Sequence, residues 1–174
     1  MEFARGVTGL IFAVQGSMAL VGAKNLFSTL ESGVENWNAF RCGNPDSFML
    51  NGARLPQAQL ANADLHCAFL MESDLRGANL SRANLEKAIL RNADLRGSDL
   101  SYANIAGADL CRANLSGADL RHASMTSTFL KKTDVRGADL STAVGLTDSQ
   151  INDAVGDALT ILPANLTRPA SWAS

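Results

Sequence analysis

Residues 78–100 read ANLSRANLEKAILRNADLRGSDL, with a leucine at every fifth place: Leu80, Leu85, Leu90, Leu95 and Leu100. Backwards, the period runs through Leu75, Leu70, Leu65, Leu60, Leu55 and Leu50. Forwards, it runs through Ile105, Leu110, Leu115, Leu120, Met125, Leu130, Val135 and Leu140. A small residue, usually Ala, sits two places before each, and Asp or Asn usually sits one place before. A period of five fits neither the 3.6 of a helix nor the 2 of a strand over such a distance. A chain that turns a corner every five residues returns the central residue to the interior each time. These side chains are therefore the expected core of a repeat solenoid. Gly52, Gly77, Gly97, Gly107, Gly117 and Gly137, two places after a central residue, suit turn positions with positive φ. The Asp or Asn before the centre can hydrogen-bond nearby backbone, so these carboxylates are structural by default.

Ala63-Asp64-Leu65, Ala78-Asn79-Leu80, Ala83-Asn84-Leu85, Ala93-Asp94-Leu95, Ala108-Asp109-Leu110, Ala113-Asn114-Leu115, Ala118-Asp119-Leu120 and Ala138-Asp139-Leu140 match A(D/N)LXX. Over about residues 46 to 145 the chain resembles the pentapeptide-repeat proteins, a bacterial family. The resemblance implies an all-β solenoid, a right-handed quadrilateral β-helix with one pentapeptide per side and four per coil. Nineteen units between Leu50 and Leu140 then give about five coils and, at about 4.8 Å per coil, a rod roughly 24 Å long.

With twenty residues per coil, the position just before the central residue rolls up into four columns. Face one carries Met49, Phe69, Ile89, Asp109 and Phe129; face two Arg54, Asp74, Asp94, Asn114 and Asp134. Face three carries Gln59, Asn79, Asp99, Asp119 and Asp139; face four Asp64, Asn84, Asn104 and Ser124. Met49, Phe69, Ile89 and Phe129 stand where the family places Asp or Asn pointing outward, and they form the candidate interaction face. Such a column is covered by the N-terminal helical segment folding back, or by a second copy or a protein partner, or it is tolerated surface. Asp74, Asp94 and Asp134 interleave with Arg76, Arg96 and Arg136 as a solvated ladder of ion pairs. Asn62, Arg82, Tyr102, His122 and Thr142 stack along one corner, as plain packing or as a platform for a sugar or base.

The chain divides into residues 1–23, 24–47, 48–145 and 146–174. Residues 6–23 carry no charge. They read as a signal peptide, as a membrane anchor or as a helix packed on the domain. Export to the periplasm follows from the first reading, and a cytoplasmic location otherwise. Asn25 to Phe40 has helical apolar spacing, followed by a turn-rich connector over 41–47. Trp37, Phe40 and Phe48 are placed to plug the open end of the solenoid, which otherwise exposes leucines and backbone to water. Val144-Gly145 ends the register. Thr147 and Gln150 form a capping box for a short C-terminal capping helix with Ile151, Ala154, Val155 and Ala158 on its apolar stripe, stopped by Pro163. Similar tails follow the repeats in bacterial relatives.

Nothing in the sequence assembles a catalytic constellation or a cofactor or metal site. Cys42, Cys67 and Cys111 have no CxxC spacing, and a Cys42–Cys67 disulfide is conceivable only in an exported protein. His66 and Cys67, as sequence neighbours, are expected to share no face that suits a dyad. The net charge of −2, and eleven Lys/Arg against ten Asp/Glu from Leu50 to Leu140, give nucleic-acid binding no electrostatic support. They equally disfavour a DNA-mimic acting on a type II topoisomerase, as some family members do. A non-catalytic scaffold that binds a protein partner or a second copy is the expected function. A membrane-associated accessory or sensor module is the alternative.

Overall fold

The computed structural model describes residue 30 and residues 32–43 and 48–172. The readings of residues 1–23 fall outside them. Among the described residues no helix is long and apolar enough to cross a membrane. The repeat region is a β-helical solenoid. Parallel bridges join residues twenty apart on all four columns, among them Met49 to Phe69, Asp74 to Asp94, Asp99 to Asp119 and Asn84 to Asn104.

The backbone explains why five residues are enough for one side. Around Leu95, the Leu95 N–H donates to Asn114 O of the next coil at 2.7 Å, and Gly97 N–H donates to Ser116 O at 3.0 Å. Asp94 N–H donates back to Ser73 O of the previous coil at 2.9 Å. Ser98 N–H closes the corner onto Leu95 O at 3.1 Å. The fifth amide, Arg96 N–H, donates to the Asp94 Oδ1 two residues earlier. All five amides are thus satisfied, as a buried backbone requires. The second corner residue has positive φ whether or not it is glycine: Gly97 (φ 61) and equally Asn92 (φ 57), Tyr102 (φ 60), Arg112 (φ 60) and Lys132 (φ 60).

All nineteen central side chains from Leu50 to Leu140 are buried, with the alanines two places earlier beside them. Where Ser or Thr replaces that Ala, its hydroxyl finds a carbonyl. Ser73 Oγ donates to Leu70 O and Ser98 Oγ to Leu95 O; Thr128 Oγ1 donates to Ile105 O and Thr133 Oγ1 to Leu110 O.

Both ends differ from the sequence reading. The helix expected over 25–40 is interrupted: Leu30 is helical, Ser32 and Gly33 (φ +110) turn, and α1 spans Val34–Gly43. It thus runs into the segment read as connector. Residues 25–29 and 31 lie outside the described residues. At the other end α2 spans Asp148–Asp153, with the Thr147–Gln150 capping box in place, and a 3-10 turn, η1, spans Ala170–Trp172. Pro163 does not stop α2, which ends ten residues earlier. The twenty-residue register ends with the bridge from Ser124 to Val144, but the ladder goes on past Gly145. Asp134 bridges Val155 and Asp139 bridges Ile161, at separations of 21 and 22 rather than 20. The tail must leave the helix at Ala154 to pair with the last coil. This turns Val155 and Ala158 outward while Ile151 and Ala154 stay buried.

Gly145 marks the point where the coil gives way to the tail. Its φ is +79, and a Cβ there would lie 2.8 Å from the Thr126 backbone nitrogen, which cannot swing aside. Gly97 has a similar φ of +61 but open space around it. Gly97→Ala should therefore cost about 1 kcal/mol, the penalty of a left-handed L-residue. Gly145→Ala should cost clearly more, about 2 kcal/mol or above. Urea unfolding of the two variants checks the order, and equal losses would contradict this packing.

Candidate interaction surface

Face one is assembled by the ladder itself: Met49, Phe69, Ile89, Asp109 and Phe129 are bridged in succession. Met49 is 56% exposed and Phe129 59%, while Phe69 and Ile89 are half-buried between their neighbours. On the other faces the same position carries side chains that accept the N–H two residues on, as Asp64, Asn79, Asp99, Asn104, Asn114 and Asp139 do. Phe69, Ile89 and Phe129 cannot accept. Met71 N–H turns instead to Asn51 Oδ1 of the coil before, at 2.9 Å. The Arg91 and Lys131 amides have no acceptor among the described residues.

The described N-terminal helix does not cover this face. It sits over the end of face four. Trp37 Nε1 donates to Asp64 O at 2.8 Å, Asn38 Oδ1 accepts from Asp64 N at 2.8 Å, and Arg41 Nη2 donates to His66 O at 3.0 Å. Further along the ladder these backbone groups bond to another coil; here three side chains replace it. Trp37 is fully buried, Phe48 meets it edge-on at 4.9 Å, and half-buried Phe40 lies 6.0 Å from it. At the opposite end Gln150 Nε2 donates to Met125 O and Thr128 O, so α2 stands over the end of face one.

The corner column stacks as rolled up: Tyr102 and His122 rings are 4.5 Å apart, with the Arg82 guanidinium 5.0 Å from the Tyr102 ring centre. One expectation about the cysteines is corrected. Cys67 has φ +56, and its Sγ lies 3.2 Å from His66 Nε2, so these sequence neighbours do meet. No disulfide joins Cys42 to Cys67; all three cysteines are free. Burial, and then the Asp109 carboxylate beside it, push the Cys111 thiol up from its ordinary value. Among the described residues no three His, Cys, Asp or Glu converge as metal ligands.

The last turn of the ladder exposes more apolar surface than the sequence disclosed. Val144 is 55% exposed, Val155 46% and Ile161 50%, all at outward positions, and Leu159 of the tail is 74% exposed. Val144 was readable, lying twenty after Ser124 on face four. The one- and two-residue insertions hid Val155 and Ile161 from a twenty-residue count.

A family model described as pentapeptide repeats matches in 8 copies, over residues 49–77, 78–117 and 106–141. Among solved structures, the chain is similar to a pentapeptide repeat protein of the Arabidopsis thaliana thylakoid lumen. The identity is 29%, over 70% of this chain and 83% of that one, with a TM-score of 0.58. It is also similar to Rfr23, a pentapeptide repeat protein of the cyanobacterium Cyanothece 51142. There the identity is 26%, over 72% of this chain and 97% of that one, with a TM-score of 0.52. No curated protein matches the sequence.

The ion pairs beside these faces set an acid response. Hydrogen bonds from Arg76, Arg96, Arg121 and Arg136 hold the carboxyls of Asp74, Asp94, Asp119 and Asp134 below the ordinary range. A lowered folded-state value gives stability that is fully present above the unfolded value of about 3.9 and lost as pH falls through the folded one. Melting temperature should therefore hold from pH 7 to about 5 and decline below about 4. Asp94→Asn should make that acid decline shallower. An unchanged acid profile in the variant would contradict the assignment.

Proposed function

We propose that this chain, which belongs to the pentapeptide-repeat family, is a non-catalytic scaffold that binds a protein partner or a second copy of itself through face one. On this reading the rod is a right-handed quadrilateral helix of about five coils, plugged at one end by Trp37, Phe40 and Phe48 and capped at the other by the C-terminal segment. The observation that carries the proposal is chemical. Four of the five outward positions on face one are apolar, where the other faces mostly carry Asp or Asn.

Stability does not call for that replacement. At Ile89 and Phe129 the replacement forgoes a hydrogen bond worth about 1 kcal/mol, and at Phe69 the Met71 amide has to turn to Asn51 instead. Stacking of Phe69 and Ile89 across the coils returns about 0.2–1 kcal/mol per pair. Met49 and Phe129, more than half exposed, recover little in the isolated rod. Burial against a partner is the event in which these side chains contribute fully. The near-balance of charge in the repeats supports this reading over mimicry of nucleic acid.

Phe69→Asp with Phe129→Asp tests it, because aspartate is the repeat's own residue at this position, gives the Lys131 amide an acceptor and leaves the core untouched. The double variant should melt at or above the parent temperature while its mass by light scattering falls to that of a monomer. For a partner other than a second copy, the variant should lose that partner's co-purification. A parent and variant of equal mass with the same co-purifying proteins would contradict the proposal.

A further inference from the structure

The corner between faces one and two differs from the rest of the surface. Arg91, Asn92, Cys111, Arg112, Lys131 and Lys132 line a depression of about 530 Å³. Elsewhere an arginine two places after a carboxylate is neutralised by it: Arg76 by Asp74, Arg96 by Asp94, Arg121 by Asp119, and Arg136 by Asp134. On face one, Ile89 and Phe129 occupy the carboxylate's place, so Arg91 and Lys131 lack that partner. Arg91 reaches across to Asp109 of the next coil. Arg112, Lys131 and Lys132 make no ion pair among the described residues.

The same replacement opens the backbone. Where Asp or Asn is present, its oxygen takes the N–H two residues on; at Arg91 and Lys131 that N–H has no acceptor among the described residues. Asp109, on the rim, shows what this corner does with an oxyanion. Its carboxylate accepts from Cys111 N at 3.0 Å and also from Arg91 Nε. Four cations and two open amides thus surround a space of ligand size, against that one carboxylate.

We propose that this corner is a binding site for a small multivalent oxyanion of the phosphate class, whose oxygens occupy the positions that Asp or Asn oxygens hold on the other faces. Lys131 and Arg91 supply an amide and a cation each. Arg112 and Lys132, stacked at the second corner position, supply charge from the side. The site does not depend on face one being a protein interface, and its test reads anion binding alone.

Pyrophosphate, with orthophosphate beside it, is titrated into the full chain by calorimetry. Pyrophosphate should bind more tightly than orthophosphate, and its affinity should fall as salt is raised from about 50 to about 200 mM. Arg112→Glu with Lys132→Glu should lower that affinity by about tenfold or more. Arg54→Glu with Lys87→Glu, the same change of net charge away from the depression, should leave it within about twofold. Vesicles of phosphatidylcholine with and without a phosphoinositide distinguish the sources. Retention on phosphoinositide vesicles assigns a lipid headgroup, and pyrophosphate binding without retention assigns a free phosphate compound. No pyrophosphate binding at about 10 mM, a weak limit by the usual affinity scale, would overturn the proposal. Equal loss in both charge-reversal pairs would do so too.

Discussion

A pentapeptide such as the one around Leu95 has five backbone N–H groups to place, and the solenoid depends on nearly all of them finding acceptors. Three go to neighbouring coils and one closes the corner; the last goes to the Asp or Asn before the central residue, as around Leu95. The side-chain code follows from this. Leucine fills the centre because every fifth residue returns inward, alanine fits beside it, and the Asx side chain completes the backbone. Burial of each leucine is worth about 2 kcal/mol, against backbone ordering costs of about 1–2 kcal/mol per residue, so hydrophobic burial and complete hydrogen bonding are both needed. The left-handed corner residue is the strain the plan accepts, and twelve non-glycine residues carry it.

A ladder of this kind has two open ends, and the chain closes them by different means. At the first coil, Trp37, Asn38 and Arg41 of α1 present side chains to Asp64 and His66 in place of a coil. At the last, the tail continues the ladder through Val155 and Ile161 after α2 has covered the end of face one. Trp172 is buried against Gly156, and Arg168 fastens the tail by donating to the Asp157 and Thr160 carbonyls. Between the ends, the departures on face one act at two levels. They expose apolar side chains, and they leave the cations and amides two residues on without their usual partner.

The repeats were legible because their periodicity is covalent: position modulo twenty fixes the column, and position modulo five fixes inside or outside. The sequence alone therefore places Met49, Phe69, Ile89 and Phe129 on one face. What the period does not govern was harder to read. The break at Ser32–Gly33 and the end of α2 at Asp153 are decided by where backbone groups of the terminal coils need partners, a demand that apolar spacing does not encode. The offsets of Val155 and Ile161 come from the same source. The His66–Cys67 contact arises because a left-handed corner lets neighbouring side chains meet, which spacing along an extended strand does not suggest. The cationic depression was spelled out in the sequence too, but only the paired arginines on the other faces show that its charges lack the usual neutralising carboxylate.

Amide hydrogen exchange resolved by residue reads the bonding between coils itself. The Leu80, Leu100 and Leu120 amides, bonded coil to coil, should exchange only through cooperative opening and with similar protection. The Asp64 amide, held by Asn38 Oδ1 in place of a coil, should be protected as well and should lose that protection in Asn38→Ala. Rapid exchange at Leu80, Leu100 and Leu120, or an Asp64 amide indifferent to Asn38→Ala, would contradict it.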